Sequence, residues 1–542
     1  MAKKKNNLVK NASVLMVASI ISRIIGLIYR RPLGSILGGV GLGYYSYASN
    51  LYTILLLISS YSIPMAVSKI VSERLALKQY KNAQKVFRGA LLYALLVGGI
   101  TAFIAFFGGP VLLPANQQNA LPALRVLAPT IFFSAILGVF RGYFQAHDTM
   151  TPTSISQIAE QIMNAVISVL AAWLLIRRYA QNGGTEAAIY GSVGGTMGTG
   201  AGVLTGLAFM LFVFFINRSY FKRERRKDRT DGEETYGEVF RIIFLMITPI
   251  LFTTFVNNAS AYLDSYLYST IEGFHGMDSK VISAAYGEYS NYYIPIINIP
   301  LALASASASA MMPEVSGEYA VGSIKSANGK ITQTIRLTMF ICIPCMFGLT
   351  IFAYPIMGVL FPAATNLAAK LLLTGSVYVL FASLSTITSS VLQSIGRQKE
   401  ALVNAGISLV LNLLILTVML LIAPGLSIYS VMIANILYSL FDWILNSVML
   451  HKYLGFRNEF RKTYVEPAAA SVVMGVISFA LYEILFRLTR RPSIAVIAAI
   501  LIAVLVYLVG YVIFSHTTEQ EMRRYPMGTK IVKLLRKIRV YR

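Results

Sequence analysis

Seven residues separate Arg23 from Arg30 in the stretch SRIIGLIYRRPLG, so a helix carries both guanidinium groups on one face, roughly 10 Å apart along its axis. Ser19 and Gly26 complete that stripe. Two such groups are suited to anion binding, because guanidinium stays charged and grips phosphate oxygens bidentately. The surrounding run is apolar, and an arginine near the bilayer centre costs about 2.5 to 3.5 kcal/mol on insertion scales. Arg23 is therefore expected to line a hydrated cavity, whereas Arg31 ends the helix and snorkels to the headgroups. Other polar stripes recur at helical spacing: Gln157, Gln161, Asn164 and Ser168 with Glu160 beside them; Asn257, Ser260 and Asp264; Glu288, Asn291 and Asn298. Asn50 and Lys69 add to them. Any one stripe could be interhelical glue at about 0.6 to 2 kcal/mol per residue. Acids and a base spread over several spans of one chain favour a common polar cavity between two lobes. Asp442 and Glu483 are expected near span ends, at the interface. His147, His275, His451 and His516 fall in loops or tails and read as solvated. No metal-ligand cluster or nucleophile triad emerges, so neither an enzyme nor a resident cofactor is expected.

The elements that position these residues follow from composition. Of 542 residues 56% are hydrophobic and 13% charged, which excludes a soluble multidomain protein and implies an all-α, polytopic membrane protein. The net charge of +24 sits in short segments between apolar spans rather than on a soluble basic face, so nucleic acid is not an expected partner. Runs of about 20 residues give fourteen transmembrane helices, at about 11–33, 46–68, 89–113, 122–145, 154–177, 187–216, 240–270, 288–312, 332–354, 367–393, 401–422, 428–450, 465–487 and 494–514. The basic amino terminus resembles a signal peptide's head, but its apolar part runs on, so it is expected to stay as the first helix. KKK, KQYKNAQKVFR, NRSYFKRERRKDR, HKYLGFRNEFRK and KIVKLLRKIRVYR all fall on one side, which the positive-inside rule makes the cytoplasm, with both termini there.

The polar segment 217–241 is the natural lobe boundary. FQAHDTMTPTSISQIAEQIMNAVISVLAAWLL aligns without a gap with LQSIGRQKEALVNAGISLVLNLLILTVMLL, setting Gln145 opposite Gln393 and Asn164 opposite Asn412. A duplication of parallel six-helix halves follows, as in alternating-access transporters. The expected lobes are residues 1–225 (helices one to six) and 226–456 (seven to twelve), with 457–542 adding helices thirteen and fourteen and a basic tail. The Gly-rich stretch from Gly191 to Phe209 lacks the strand and the Lys-Ser/Thr of a phosphate cradle and reads as close helix packing. Cys342 and Cys345 lie in an apolar helix and read as ordinary packing.

SRIIGLIYR, FRGYFQAHDTMTPTSISQIAEQI and MMPEVSGEY resemble the MOP-superfamily lipid-linked oligosaccharide flippases, specifically the MurJ-like lipid II flippases of the YtgP/SpoVB branch. The resemblance covers essentially the whole chain. It implies export of a polyprenyl-pyrophosphate-linked sugar peptide from the inner to the outer leaflet of a bacterial cytoplasmic membrane, with the headgroup in a cavity formed by Arg23, Arg30, Asn50, Lys69, Gln157, Glu160, Asp264, Glu288 and Asn291. The partners are that anionic lipid-linked cargo and membrane lipids, and the protein is expected to be a monomer. Arg23 occupies the arginine of the family's Ser-Arg-x-x-Gly pattern, while the family's following Arg-Asp is here Tyr29-Arg30. EYSNYYIPIIN stands where an arginine is found in helix eight of many members, and Lys69 is the substitute. The family's sodium site resembles Asp264 plus Asn412, its second carboxylate being replaced by Leu416. Coupling is therefore to sodium, to protons or to the membrane potential alone. The acids Asp264, Glu160 and Glu288 are expected to hold the helix-one arginines between cycles. Alternatives are a flippase for a sporulation or surface-polysaccharide precursor, or a drug exporter of the same superfamily. Fourteen helices and Arg23 argue against the exporter. A membrane glycosyltransferase would need long extracytoplasmic loops with clustered acids, and a scaffold would not need Arg23.

Overall fold

Apolar runs of this length can satisfy their backbone in lipid only as helices, and the computed structural model is all-helical over the residues it describes. Those are 2–147, 149–181, 183–228, 232–523, 525, 528–537 and 540; the side chains of 2–17, 19, 20, 249, 250, 253 and 257 are not among them, so Ser19 and Asn257 of the expected stripes lie outside the described residues. By packing, Met1–Gly287 forms one compact unit and Glu288–Arg542 a second.

The first unit holds α1 (Ala2–Leu56), α2 (Ile63–Ala76), α3 (Tyr80–Phe107), α4 (Gly109–Leu112), α5 (Leu121–Ala146), α6 (Thr151–Tyr179), α7 (Gly184–Ile216), α8 (Arg218–Arg226), α9 (Tyr236–Phe274) and α10, Ser279 onward. The second holds α11 (Ile294–Ala320), α12 (Ile324–Ile351), α13 (Ala353–Leu360), α14 (Asn366–Gly375), α15 (Tyr378–Ser394), α16 (Gln398–Ile422), α17 (Ile428–Leu454), α18 (Glu466–Thr489), α19 (Pro492–Ser515), α20 (Glu519–Met522) and α21 (Gly528–Lys537). Large apolar side chains such as Phe103, Val476 and Leu501 are more than half exposed, the surface of a chain whose solvent is lipid.

Each of the fourteen expected spans is helical, though several cross a break: 46–68 runs from α1 through a π-helical turn, Leu57–Tyr61, into α2, and 367–393 covers α14 and α15. Among the described residues eleven helices are long and apolar enough to cross a membrane, twelve with the pair Asn366–Gly375 and Tyr378–Ser394, which bends by 52°. The first two expected spans merge into one 56-residue segment, Ile21–Ala76. No loop divides them. The break is Gly38 alone, at φ 64° and ψ 176°, a conformation essentially confined to glycine. Counting that segment twice and adding α9, which covers the expected 240–270 span, restores fourteen.

Within the first unit the Gly-rich stretch packs α7 on α6, as its small-residue spacing predicts. A Cβ on Gly194 would strike the backbone of Ala172, and one on Gly198 would strike Ser168. Over its described residues, the polar segment 217–241 is docked rather than free. Arg74 pairs with Glu234 at 2.6 Å, and Asn82 bonds both Gly232 O and Glu234 N–H. His147, expected to be solvated, is instead packed at a tilt against Tyr143, ring centroids 4.6 Å apart, with Nε2 3.3 Å from Glu224. The aromatic cluster of Phe87, Phe140, Tyr143, Phe214 and Phe221 draws its ring out of solvent.

Candidate functional site

In the first unit α1 is helical through both arginines, so Arg23 and Arg30 do share a face. Arg23 is exposed and has no ion pair or hydrogen bond among the described residues; Arg30 is half-buried. Lys69, on α2, is likewise exposed and without an ion-pair partner among the described residues. Among the described residues, Arg23 and Lys69 are thus cationic side chains not consumed by local structure.

Asn50 and Asp264 are brought together around Tyr286. The Asn50 amide donates to Tyr286 Oη at 2.8 Å and to Ala261 O at 3.3 Å, and Tyr286 donates to Ala261 O at 3.1 Å. Asp264, one turn after Ala261 and 1% exposed, acts electrostatically on the same phenol. The ring of Tyr47 stacks on Tyr286 at 5.0 Å. Three helices, α1, α9 and α10, thus share one polar knot.

Glu160 departs from expectation. Its Oε2 lies 2.7 Å from Nη2 of Arg141, whose Nε donates to Ser156 Oγ at 3.0 Å. Glu160 is thereby committed to a cation on α5 instead of waiting for the helix-one arginines. Gly206 of α7 faces the pair, and a Cβ there would sit in ordinary contact, 3.5 Å, with both Arg141 Nη2 and Glu160 Oε2. Sequence reading missed Arg141; the signal was an arginine inside the expected span 122–145, in FRGYFQ, with an acid on the next helix. Gln157, one turn before Glu160, is half-buried and its Oε1 has no hydrogen-bond partner.

In the second unit Glu288 also has a structural task. Its carboxylate accepts from Thr365 Oγ1 at 2.9 Å, Ala368 N–H at 3.1 Å and Thr365 N–H at 3.3 Å, so it caps the amino end of α14. It is spoken for, which corrects the expectation that it holds an arginine between cycles. Asn291 is buried in a π-helical turn, Tyr289–Tyr293, from which Tyr293 Oη donates to Gly375 O at 2.9 Å, where α14 meets α15. EYSNYYIPIIN therefore supports a bend instead of supplying a headgroup arginine.

Asn412 is fully buried on α16, and one turn later stands Leu416, also buried. Asp264 belongs to the first unit and Asn412 to the second, and among the described residues no group of three or more His, Cys, Asp or Glu could hold a metal ion. Asp442 was expected at the interface, yet it is 4% exposed near the middle of α17. The reason is a polar seam: Ser385 and Asn446 donate to its Oδ2, and Asn404 donates to Asn446 at 2.9 Å. A cavity of about 350 Å³, lined in part by Arg336, Lys462, Glu466 and Tyr511, lies elsewhere in this unit and holds none of the expected residues.

The polysaccharide biosynthesis protein family matches residues 8–319, and the MatE family matches residues 284–419. The lipid II flippase MurJ of Bacillus subtilis (strain 168) is 26% identical over 76% of this chain and 77% of its own length. Stage V sporulation protein B of the same organism is 21% identical over 97% of this chain and 99% of its own. Among solved structures, a lipid II flippase MurJ in an inward closed conformation matches with a TM-score of 0.67 at 16% identity, covering 92% of this chain and 98% of that one. An inward-facing multidrug resistance MATE family transporter of the MOP superfamily matches with a TM-score of 0.64 at 15% identity, over 80% of this chain and 94% of that one. The solved structures show the fold, and the resemblance to MurJ-like members of the MOP superfamily holds. The two MurJ proteins are named lipid II flippases and the MATE structure a transporter. With more than half of its length matched, the chain belongs to the polysaccharide biosynthesis protein family.

Proposed function

We propose that this protein is an alternating-access flippase that moves lipid II, an undecaprenyl-pyrophosphate-linked peptidoglycan precursor, from the inner to the outer leaflet of a bacterial cytoplasmic membrane. One observation carries the reading. Arg23 and Arg30 share a face of α1, and Arg23 has no acid beside it, so its charge is available to a ligand. A guanidinium in a membrane span is tolerated where it meets water or an anion, and a pyrophosphate is the anion that two bidentate donors suit best. A cationic drug would be repelled by the same pair. Lys69 adds a third cation, and Asn50 and Gln157 offer neutral hydrogen-bonding groups to a sugar-peptide headgroup.

Energy need not come from a bound ion. Moving about two negative charges outward across an inside-negative membrane of about 100 mV is favourable by roughly 4 to 5 kcal/mol. The basic segments orient both termini to the cytoplasm, and the protein works as a monomer. The similarity to the sporulation protein keeps a related lipid-linked oligosaccharide as the second reading.

Depletion of the protein followed by leaflet-resolved measurement of lipid-linked precursors tests this. Lipid II is expected to accumulate on the inner leaflet. Accumulation of a different lipid-linked sugar would move the assignment to that cargo, and accumulation of none would overturn the flippase reading.

A further inference from the structure

Asp442 lies 12 residues from the end of α17, about 18 Å into the helix at 1.5 Å per residue. Two donors, the Ser385 hydroxyl and the Asn446 amide, converge on its Oδ2. The chain of donation runs in one direction, from Asn404 to Asn446 to Asp442. Its Oδ1 is buried with no hydrogen-bond partner. Helices α14, α15 and α16 pack on α17. Their titratable or charged groups are Lys370 on α14, Tyr378 on α15, and Lys399 and Glu400 on α16; α17 itself adds Tyr429, Tyr438, His451, Lys452 and Tyr453. Glu400 is held by Tyr453 at 3.0 Å and by Arg397 at 3.4 Å, Lys370 and Lys399 are exposed, and none of these groups bonds or pairs with Asp442.

A carboxylate in this position would be an anion in the middle of a membrane span with no cation near it, which is costly in low dielectric. A neutral carboxyl keeps both hydrogen bonds to Oδ2 and removes the charge. We propose that Asp442 is a proton-binding site, taking its proton from water onto Oδ1, whose occupancy sets how tightly α15, α16 and α17 pack. With the proton on, the seam stays closed. With it off, the anion demands water or a donor at Oδ1, and the three helices separate to admit it. This inference rests on the geometry of the second unit and not on the cargo reading.

The test uses the full chain in lipid nanodiscs. Trp443 stacks on Phe381 at 6.1 Å beside Asp442, and Trp173 is the other tryptophan, so a Trp173→Phe background makes Trp443 a single reporter. Between about pH 4 and 9, an infrared difference spectrum is expected to contain a protonated-carboxyl carbonyl band that Asp442→Asn removes. Trp443 emission should follow the same one-proton transition and be flat in Asp442→Asn, with the protein still monodisperse, and Asp442→Glu should restore the transition. A band and emission change that persist in Asp442→Asn, or a wild-type protein with no such band across that range, overturns the proposal. So does a transition set by sodium concentration at fixed pH.

Discussion

Glu160→Gln removes one partner of the Arg141 ion pair and leaves a guanidinium bonded, among the described residues, to Ser156 Oγ alone. The side chains of Arg141 and Glu160 are 15% and 22% exposed, nearer to a buried pair than to a surface one. Exposed pairs contribute about 0 to 1 kcal/mol, and removing one partner of a fully buried pair costs about 3 to 5 kcal/mol. At this burial a coupling of about 2 to 3 kcal/mol is expected, in the range of a charge-assisted hydrogen bond. The assay is a double-mutant cycle of Arg141→Gln, Glu160→Gln and the pair, followed by denaturation in mixed micelles. The double variant should be more stable than the sum of the single losses implies. A coupling below about 0.5 kcal/mol, the scatter of independent sites, would refute the reasoning and return Glu160 to the pool of acids available to the helix-one arginines.

Gly38→Ala places a side chain at φ 64° and ψ 176° and should cost roughly 1 to 3 kcal/mol, read as a lowered unfolding midpoint in detergent, while Gly26→Ala, which meets open space, should not. Glu288→Ala should lose about 0.5 to 2 kcal/mol by leaving the Thr365 and Ala368 N–H groups at the start of α14 without their acceptor, while Thr365 Oγ1 still caps Leu367, seen as faster hydrogen exchange at residues 365 and 368; unchanged exchange there would contradict the capping role. Thr235 and Glu238 form a reciprocal capping box at the start of α9, and the backbone N–H and then the hydroxyl of Thr235 hold the Glu238 carboxyl below its ordinary value. Because the folded value is depressed, the box is intact above the unfolded value of about 4.3 and is lost as pH falls through the folded one. Exchange at the first turn of α9 should therefore accelerate only in acid, and Glu238→Gln should abolish that acid step.

The spans were legible because lipid imposes one rule, about 20 apolar residues per helix, and it places every expected helix. The separation of the first two was misjudged because a Gly at positive φ turns the chain without a polar loop, and Gly38 sits among other glycines that do nothing of the kind. The polar stripes were legible as stripes, but not as partnerships. Asn50 and Asp264 meet at Tyr286, a residue whose spacing from either carries no periodic signal. Glu160 and Glu288 were assigned to a cavity because sequence shows that an acid is present and not what already bonds it. Asp442 was placed at an interface by its distance from a span end, whereas Asn404, Ser385 and Asn446, three polar residues on three helices, draw it inside.

Arg23 gripping a phosphate-bearing cargo is the central claim, and binding of lipid II to the purified protein measures it most directly. A charge-assisted bond of about 1.5 to 3 kcal/mol corresponds to roughly 10- to 100-fold in affinity. Arg23→Gln should weaken lipid II binding by that factor, with Arg23→Lys recovering part of it. Affinity unchanged by Arg23→Gln would contradict the account.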